Sequence, residues 1–232
     1  MYPRHMAGRR LVVVAVSFTV AVSSVALAAA PAGKIPAAAV YRLRPDPRLC
    51  PSPMCGGFWA ARANRATAIC LDGAARASCY VASVDLSALP VRRRAQAQAT
   101  LPTGRALVTG SFAPYRSPAF PQLARLVASR VWVTTAPGSY TETVYRIVNT
   151  GILCVRAPCY SLRATAANST GSSMLSGLDL TATGAAAARI RRALAAPGAG
   201  GVLASGTIRA ESKPGTPDAG RTFVAVQVWL PI

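Results

Sequence analysis

The chain has almost no histidine. The only one is His5, inside the segment expected to be removed on export, so the mature protein would have none. That absence excludes Ser-His and Cys-His nucleophile pairs, histidine general bases and any metal site built on imidazole. Acidic residues are also scarce. The seven carboxylates are Asp46, Asp72, Asp85, Glu142, Asp179, Glu211 and Asp218, set against 26 cationic side chains. Lysine is nearly missing, with Lys34 and Lys213 alone, so the positive charge is arginine. Neither a Gly-x-Ser-x-Gly elbow nor a phosphate-cradling glycine loop occurs. These gaps exclude most enzyme classes, and the expectation is a non-enzymatic protein without a cofactor or metal.

What is present begins with an export signal. Arg4, Arg9 and Arg10 precede an apolar run from Leu11 to about Ala28, and Ala26-Leu27-Ala28 is a small-x-small cleavage motif. Residues 1–28 are therefore expected to be a signal peptide, with retention as a membrane anchor as the alternative. Cleavage leaves roughly 200 residues, enough for one large domain or two small ones. The mature chain keeps a net charge of about +16, which favours polyanions as partners. Residues 29–39 are Pro- and Ala-rich and read as a linker.

Val40-Tyr41-Arg42 is followed by Cys50 and Cys55. Val144-Tyr145-Arg146, Cys154 and Cys159 repeat those five positions at a displacement of 104, and Asn168 matches Asn64 at the same displacement. Asp179-Leu180-Thr181 then answers Asp85-Leu86-Ser87 at 94, so ten residues are missing where the first half carries Cys70 and Cys79. Gly206 answers Gly110 at 96, and Trp229 answers Trp132 at 97. β-Forming segments are expected at 40–44, 58–64, 79–85, 105–112, 130–135, 141–148 and 202–208. Helices are expected at about 88–100 and 182–195, each entered through its Asp-Leu-Ser/Thr. The resulting expectation is an α+β fold of two tandem β-β-β-α-β-β repeats, residues 40–137 and 138–232, with one helix each. A hairpin from Arg130 to Val148 would let them share a sheet.

Six cysteines in an exported chain suggest three disulfides. If each half closes on itself, Cys154 pairs with Cys159, Cys50 by analogy with Cys55, and Cys70 with Cys79. Crossed pairing such as Cys50 with Cys70 is the competitor. Redox and zinc roles are disfavoured, because no Cys-x-x-Cys occurs and an oxidising compartment consumes thiolates.

Three constellations could carry function. Arg92, Arg93 and Arg94 on the first helix and Arg189, Arg191 and Arg192 on the second could form a bivalent surface for an anionic envelope polymer, polysaccharide or extracellular nucleic acid. The prolines around Cys50 and Cys55 could stiffen a protease-inhibitory loop at 51–54. Asp85 and Asp179 could be paired hydrolase carboxylates, although both sit where carboxylates cap helices. Trp59, Trp132 and Trp229 read as core side chains rather than sugar platforms.

Tyr41-Arg42, Cys50-Pro51-Ser52-Pro53-Met54-Cys55-Gly56-Gly57-Phe58, Cys79-Tyr80-Val81-Ala82 and Asp85-Leu86-Ser87 together resemble a bacterial family of exported proteins, many of them lipoproteins, built on a domain of unknown function. The resemblance is strong in the first half and weak in the second, which lacks the second cysteine pair and the Gly-Gly-Phe. No lipobox cysteine is present. The resemblance implies an exported bacterial domain and no catalytic residues.

Overall fold

The computed structural model describes residues 38–134, 141–183, 187–195, 200–211 and 220–232. The expected signal peptide, residues 1–28, and nearly all of the expected linker lie outside the described residues.

The chain runs β1 (Ala39–Pro45), β2 (Phe58–Arg62), β3 (Ala68–Ile69), β4 (Ala75–Arg76), β5 (Cys79–Val81), β6 (Ser83–Asp85), α1 (Val91–Thr100), β7 (Ala106–Pro114) and β8 (Ala124–Thr134). It continues through β9 (Val144–Asn149), β10 (Leu162–Ala166), β11 (Ser172–Leu175), β12 (Gly177–Asp179), α2 (Ala187–Ala195), β13 (Val202–Ala210) and β14 (Arg221–Pro231). Short 3-10 turns lie at Leu101–Thr103 and Thr181–Thr183. Ten strands of one twelve-stranded sheet follow the path β11-β10-β9-β13-β14-β8-β7-β1-β2-β5. Two further strands join it in parallel, β6 beside β8 and β12 beside β14, while β3 and β4 form a small separate ribbon.

The expected α+β fold of two tandem β-β-β-α-β-β repeats is corrected by this topology. The molecule is mostly β, one large and mainly antiparallel sheet accompanied by two short helices among the described residues. Nor does a hairpin between β8 and β9 join the halves. The seam is the antiparallel pair β8–β14, where Trp229 faces Thr134 and Leu230 faces Val133. Local patterning located most strands but could not reveal that β8 would take a partner almost a hundred residues away. The third expected strand also splits in two: β5 stays on β2, and β6 crosses to β8.

The core follows from period-2 alternation on strands buried on both faces. Tyr41 and Leu43 point to one side, where they pack with Val108, Phe112, Leu126, Ala97 and Leu101 beneath α1. Ile147, Leu175, Phe223 and Val228 pack beneath Ile190 and Leu194 of α2. Those last two are spaced i, i+4, so they share one helix face. On the opposite side of the sheet Leu107, Trp132, Val144, Leu203 and Trp229 form a third cluster that includes residues of both halves.

Two asparagines fasten the same junction reciprocally. Asn64 donates to the carbonyls of Val144 (2.7 Å) and Ala167 (3.1 Å) and accepts from the Val144 N–H (2.9 Å). Asn168 donates to the carbonyls of Val40 (2.8 Å) and Ala63 (2.8 Å) and accepts from the Val40 N–H (2.8 Å). Both residues are left-handed, at φ 58° and 60°, which asparagine tolerates better than most residues with a Cβ.

Candidate functional site

The cysteines form three disulfides, Cys50–Cys55, Cys70–Cys79 and Cys154–Cys159, and such a set marks an oxidising, extracytoplasmic environment. No helix among the described residues is long and apolar enough to cross a membrane.

The loop between β1 and β2 is pinned at its centre as well as at its neck. Arg48 pairs with the buried carboxylate of Asp46 at 2.9 Å and donates to the Met54 carbonyl. Its guanidinium also lies over the rings of Trp59 (5.2 Å) and Tyr80 (5.0 Å), and the Tyr80 hydroxyl donates to the Pro53 carbonyl. The hydrogen bond from Arg48 holds the Asp46 carboxyl below its ordinary range. Trp59 thus belongs to this cluster, while Trp132 and Trp229 are core residues. Within 51–54 the chain folds into a turn, with the Met54 N–H bonded to the Pro51 carbonyl and Pro53 buried. A protease cleft takes up an extended segment, so this geometry gives no support to an inhibitory loop.

Asp85 and Asp179 do not converge. Asp85 lines a recess with Arg94, Tyr115, Arg116 and Arg125, whereas Asp179 lines another with Leu162, Arg191 and Leu194. Asp85 does not cap α1, which begins after Pro90 without a side-chain cap, and each carboxylate accepts the N–H two residues on, from Ser87 (3.0 Å) and Thr181 (2.9 Å). The Ser87 backbone N–H, then the Ser87 hydroxyl and the Arg116 guanidinium at 2.7 Å, lower the Asp85 carboxyl to about 2. Its unfolded value is near 3.8, so this stabilisation is complete above about pH 4 and lost as pH falls through about 2. Asp85→Asn removes the contribution. Urea denaturation should show the wild type losing its advantage over the variant across that window, and a pH-independent difference would contradict the assignment.

The six helix arginines separate into two kinds. Arg94 turns back to the carbonyls of Leu89 (2.9 Å) and Ser87 (2.7 Å), so it braces the approach to α1. Arg92 is exposed, Arg93 is half-buried, and Arg189, Arg191 and Arg192 are exposed.

A larger basic feature lies on the sheet face away from the helices. A cleft of about 970 Å³ is bordered by Arg62, Arg65, Arg130, Arg146 and Arg163, with no carboxylate among the described residues lining it. Strand register places these side chains. Arg146 stands opposite Leu203 and Thr165, Arg163 opposite Val148, and Arg130 opposite Thr109, so the three share the face that carries Leu203 and Trp132. The sequence reading missed all five as a group. The one local trace was Val-Tyr-Arg at 144–146, whose alternation sends Arg146 away from the face of Tyr145.

No curated protein and no solved structure matches the chain. One family model does, that of a domain of unknown function, DUF6748, and it spans residues 39–232, from β1 through the seam strand β14. The chain therefore belongs to the DUF6748 family.

Proposed function

We propose that this is an exported, non-enzymatic module that binds anionic polymers of the cell envelope or extracellular space. The observation that carries the reading is how little of the positive charge is neutralised. Asp46, Asp72 and Asp85 are taken by Arg48, Arg76, and Arg116 with Arg125. Arg92, Arg93, Arg189, Arg191 and Arg192 form no ion pair among the described residues. Such side chains release counterions when they meet a polyanion, and two helices bearing them allow one polymer to engage both. The non-enzymatic part of the reading is supported by a chain without histidine beyond position 5 and by two candidate carboxylates held in separate recesses.

Retention of the purified chain on an anionic matrix is expected to fall steeply with salt. Replacing Arg189, Arg191 and Arg192 by glutamate should lower the log–log salt slope by about one for each arginine engaged. An unchanged slope would remove α2 from the binding surface. Arg94 is left intact because it supports the fold.

A further inference from the structure

We propose that the arginine cleft on the sheet face is a discrete binding site for a phosphate or sulfate ester carried on a polyhydroxylated chain. It is separate from the helix surface of the preceding reading and does not depend on it.

Like charges have been gathered here. Arg130 Nη1 and Arg146 Nε donate to the same oxygen, the Gly200 carbonyl, at 3.3 and 3.4 Å. Two guanidiniums on one carbonyl repel each other, and no carboxylate among the described residues lining the cleft offsets that repulsion. A fold that needed only solubility would disperse these charges. An oxyanion between the two converts the repulsion into attraction, and the planar forks of arginine match its oxygens in pairs. Arg163 extends the cationic row one strand outward, diagonal to Arg146.

Arg62 and Arg65, which like Arg130 belong to the first half of the chain, complete the lining. Arg65 holds the Asn168 carbonyl with two of its nitrogens, at 3.1 and 2.7 Å. Arg62 also lines the cleft, and its Nε is buried without a hydrogen-bond partner. A buried unpaired donor on a cation is costly, and a bound anion is one partner that would satisfy it. The reciprocal asparagines hold together the two halves that supply these arginines, so the site is organised before a ligand arrives.

The remaining lining selects among anions. Thr165, Ser169 and Thr170 offer hydroxyls along the rim. Trp132 is only 2% exposed and carries Arg130 over its ring at 5.2 Å, so it presents no free face. Single-stranded nucleic acids depend on open aromatic platforms, which this cleft lacks. Charge, hydroxyls and a volume suited to a few sugar-sized units favour a phosphorylated or sulfated polyol.

The test is calorimetric titration of the full chain, at fixed ionic strength, with three probes of matched charge: a short polyglycerol phosphate, a sulfated oligosaccharide and a single-stranded oligonucleotide. One of the first two should bind saturably at one site per chain and at least tenfold more tightly than the oligonucleotide. Which of them it is identifies the ester. Arg163→Glu, on an exposed position that leaves the core untouched, and Arg146→Ala should each weaken that binding at least tenfold. Glutamates at Arg189, Arg191 and Arg192 should change it less than twofold, so failure of the helix reading leaves this site standing. The proposal is overturned if neither ester binds saturably, if the oligonucleotide binds as well, or if Arg163→Glu and Arg146→Ala bind like the wild type.

Discussion

Gly206→Ala is expected to destabilise the protein by about 3 kcal/mol, and Gly110→Ala by nearly as much. A Cβ at Gly206 would lie 2.0 Å from the Val224 carbonyl oxygen, and one at Gly110 would lie 2.3 Å from the Val127 carbonyl oxygen. Both obstacles are backbone atoms of the neighbouring strand, so no rotamer change can relieve them. The cause is a bulge in each pair, where the register shifts between Ser205 and Gly206 and between Thr109 and Gly110. The extra residue lies on the partner strand, Val226 in β14 and Ser129 in β8, and such a bulge brings that strand's backbone against the glycine Cα, where only glycine fits. Thr207→Ala, one residue on and exposed, should stay within about 0.5 kcal/mol. Urea midpoints of the three variants compare these costs directly. A Gly206→Ala protein as stable as Thr207→Ala would refute the packing argument.

Asn64→Ala and Asn168→Ala should each cost about 3 kcal/mol. Each removes three hydrogen bonds to backbone groups of the other half, and alanine is less at ease than asparagine at a φ near 60°. Asn→Gly at either position relieves the backbone but loses the same three bonds, so it should recover about 1 kcal/mol and no more. The two sites close one junction, and once either is gone the second has less to hold. The double alanine variant should therefore fall short of the sum of the singles by about 1 kcal/mol, as residues in one network do. Strict additivity in a double-mutant cycle would mean that the two asparagines act independently.

Much of the sheet was legible because alternation is local. Val40 to Arg44 and Val202 to Ile208 stand within one or two residues of their strands, and the glycines matched at 110 and 206 mark the two bulges. Pairing was not legible. Nothing around Trp132 or Trp229 announces that their strands meet, because both segments read as ordinary buried strands whichever neighbour they take. The correspondence of Asn64 with Asn168 was visible as a spacing of 104, but a spacing reveals likeness and not contact. The helix arginines stood out because they are contiguous. The cleft arginines are single residues on β2, the turn after it, β8, β9 and β10, and only the register assembles them. Arg94 shows the converse error, since a run of three arginines gives no sign that one is bound to its own backbone.

The seam between β8 and β14 also orders events in time. The three disulfides close loops of 5, 9 and 5 residues, so each can form as soon as its own segment reaches an oxidising compartment. The seam joins Trp132 to Pro231, and the asparagine lock ties Val40 to Asn168, 128 positions along the chain. Contacts between such distant residues form slowly, because the closure entropy is lost before the contact is gained. Until β14 arrives, the seam end of β8 is a bare strand edge, open to pairing with other chains. A chain delivered from its N-terminal end onward thus completes its cross-links early and its sheet last, and its period of greatest exposure to aggregation ends only when the final strand docks.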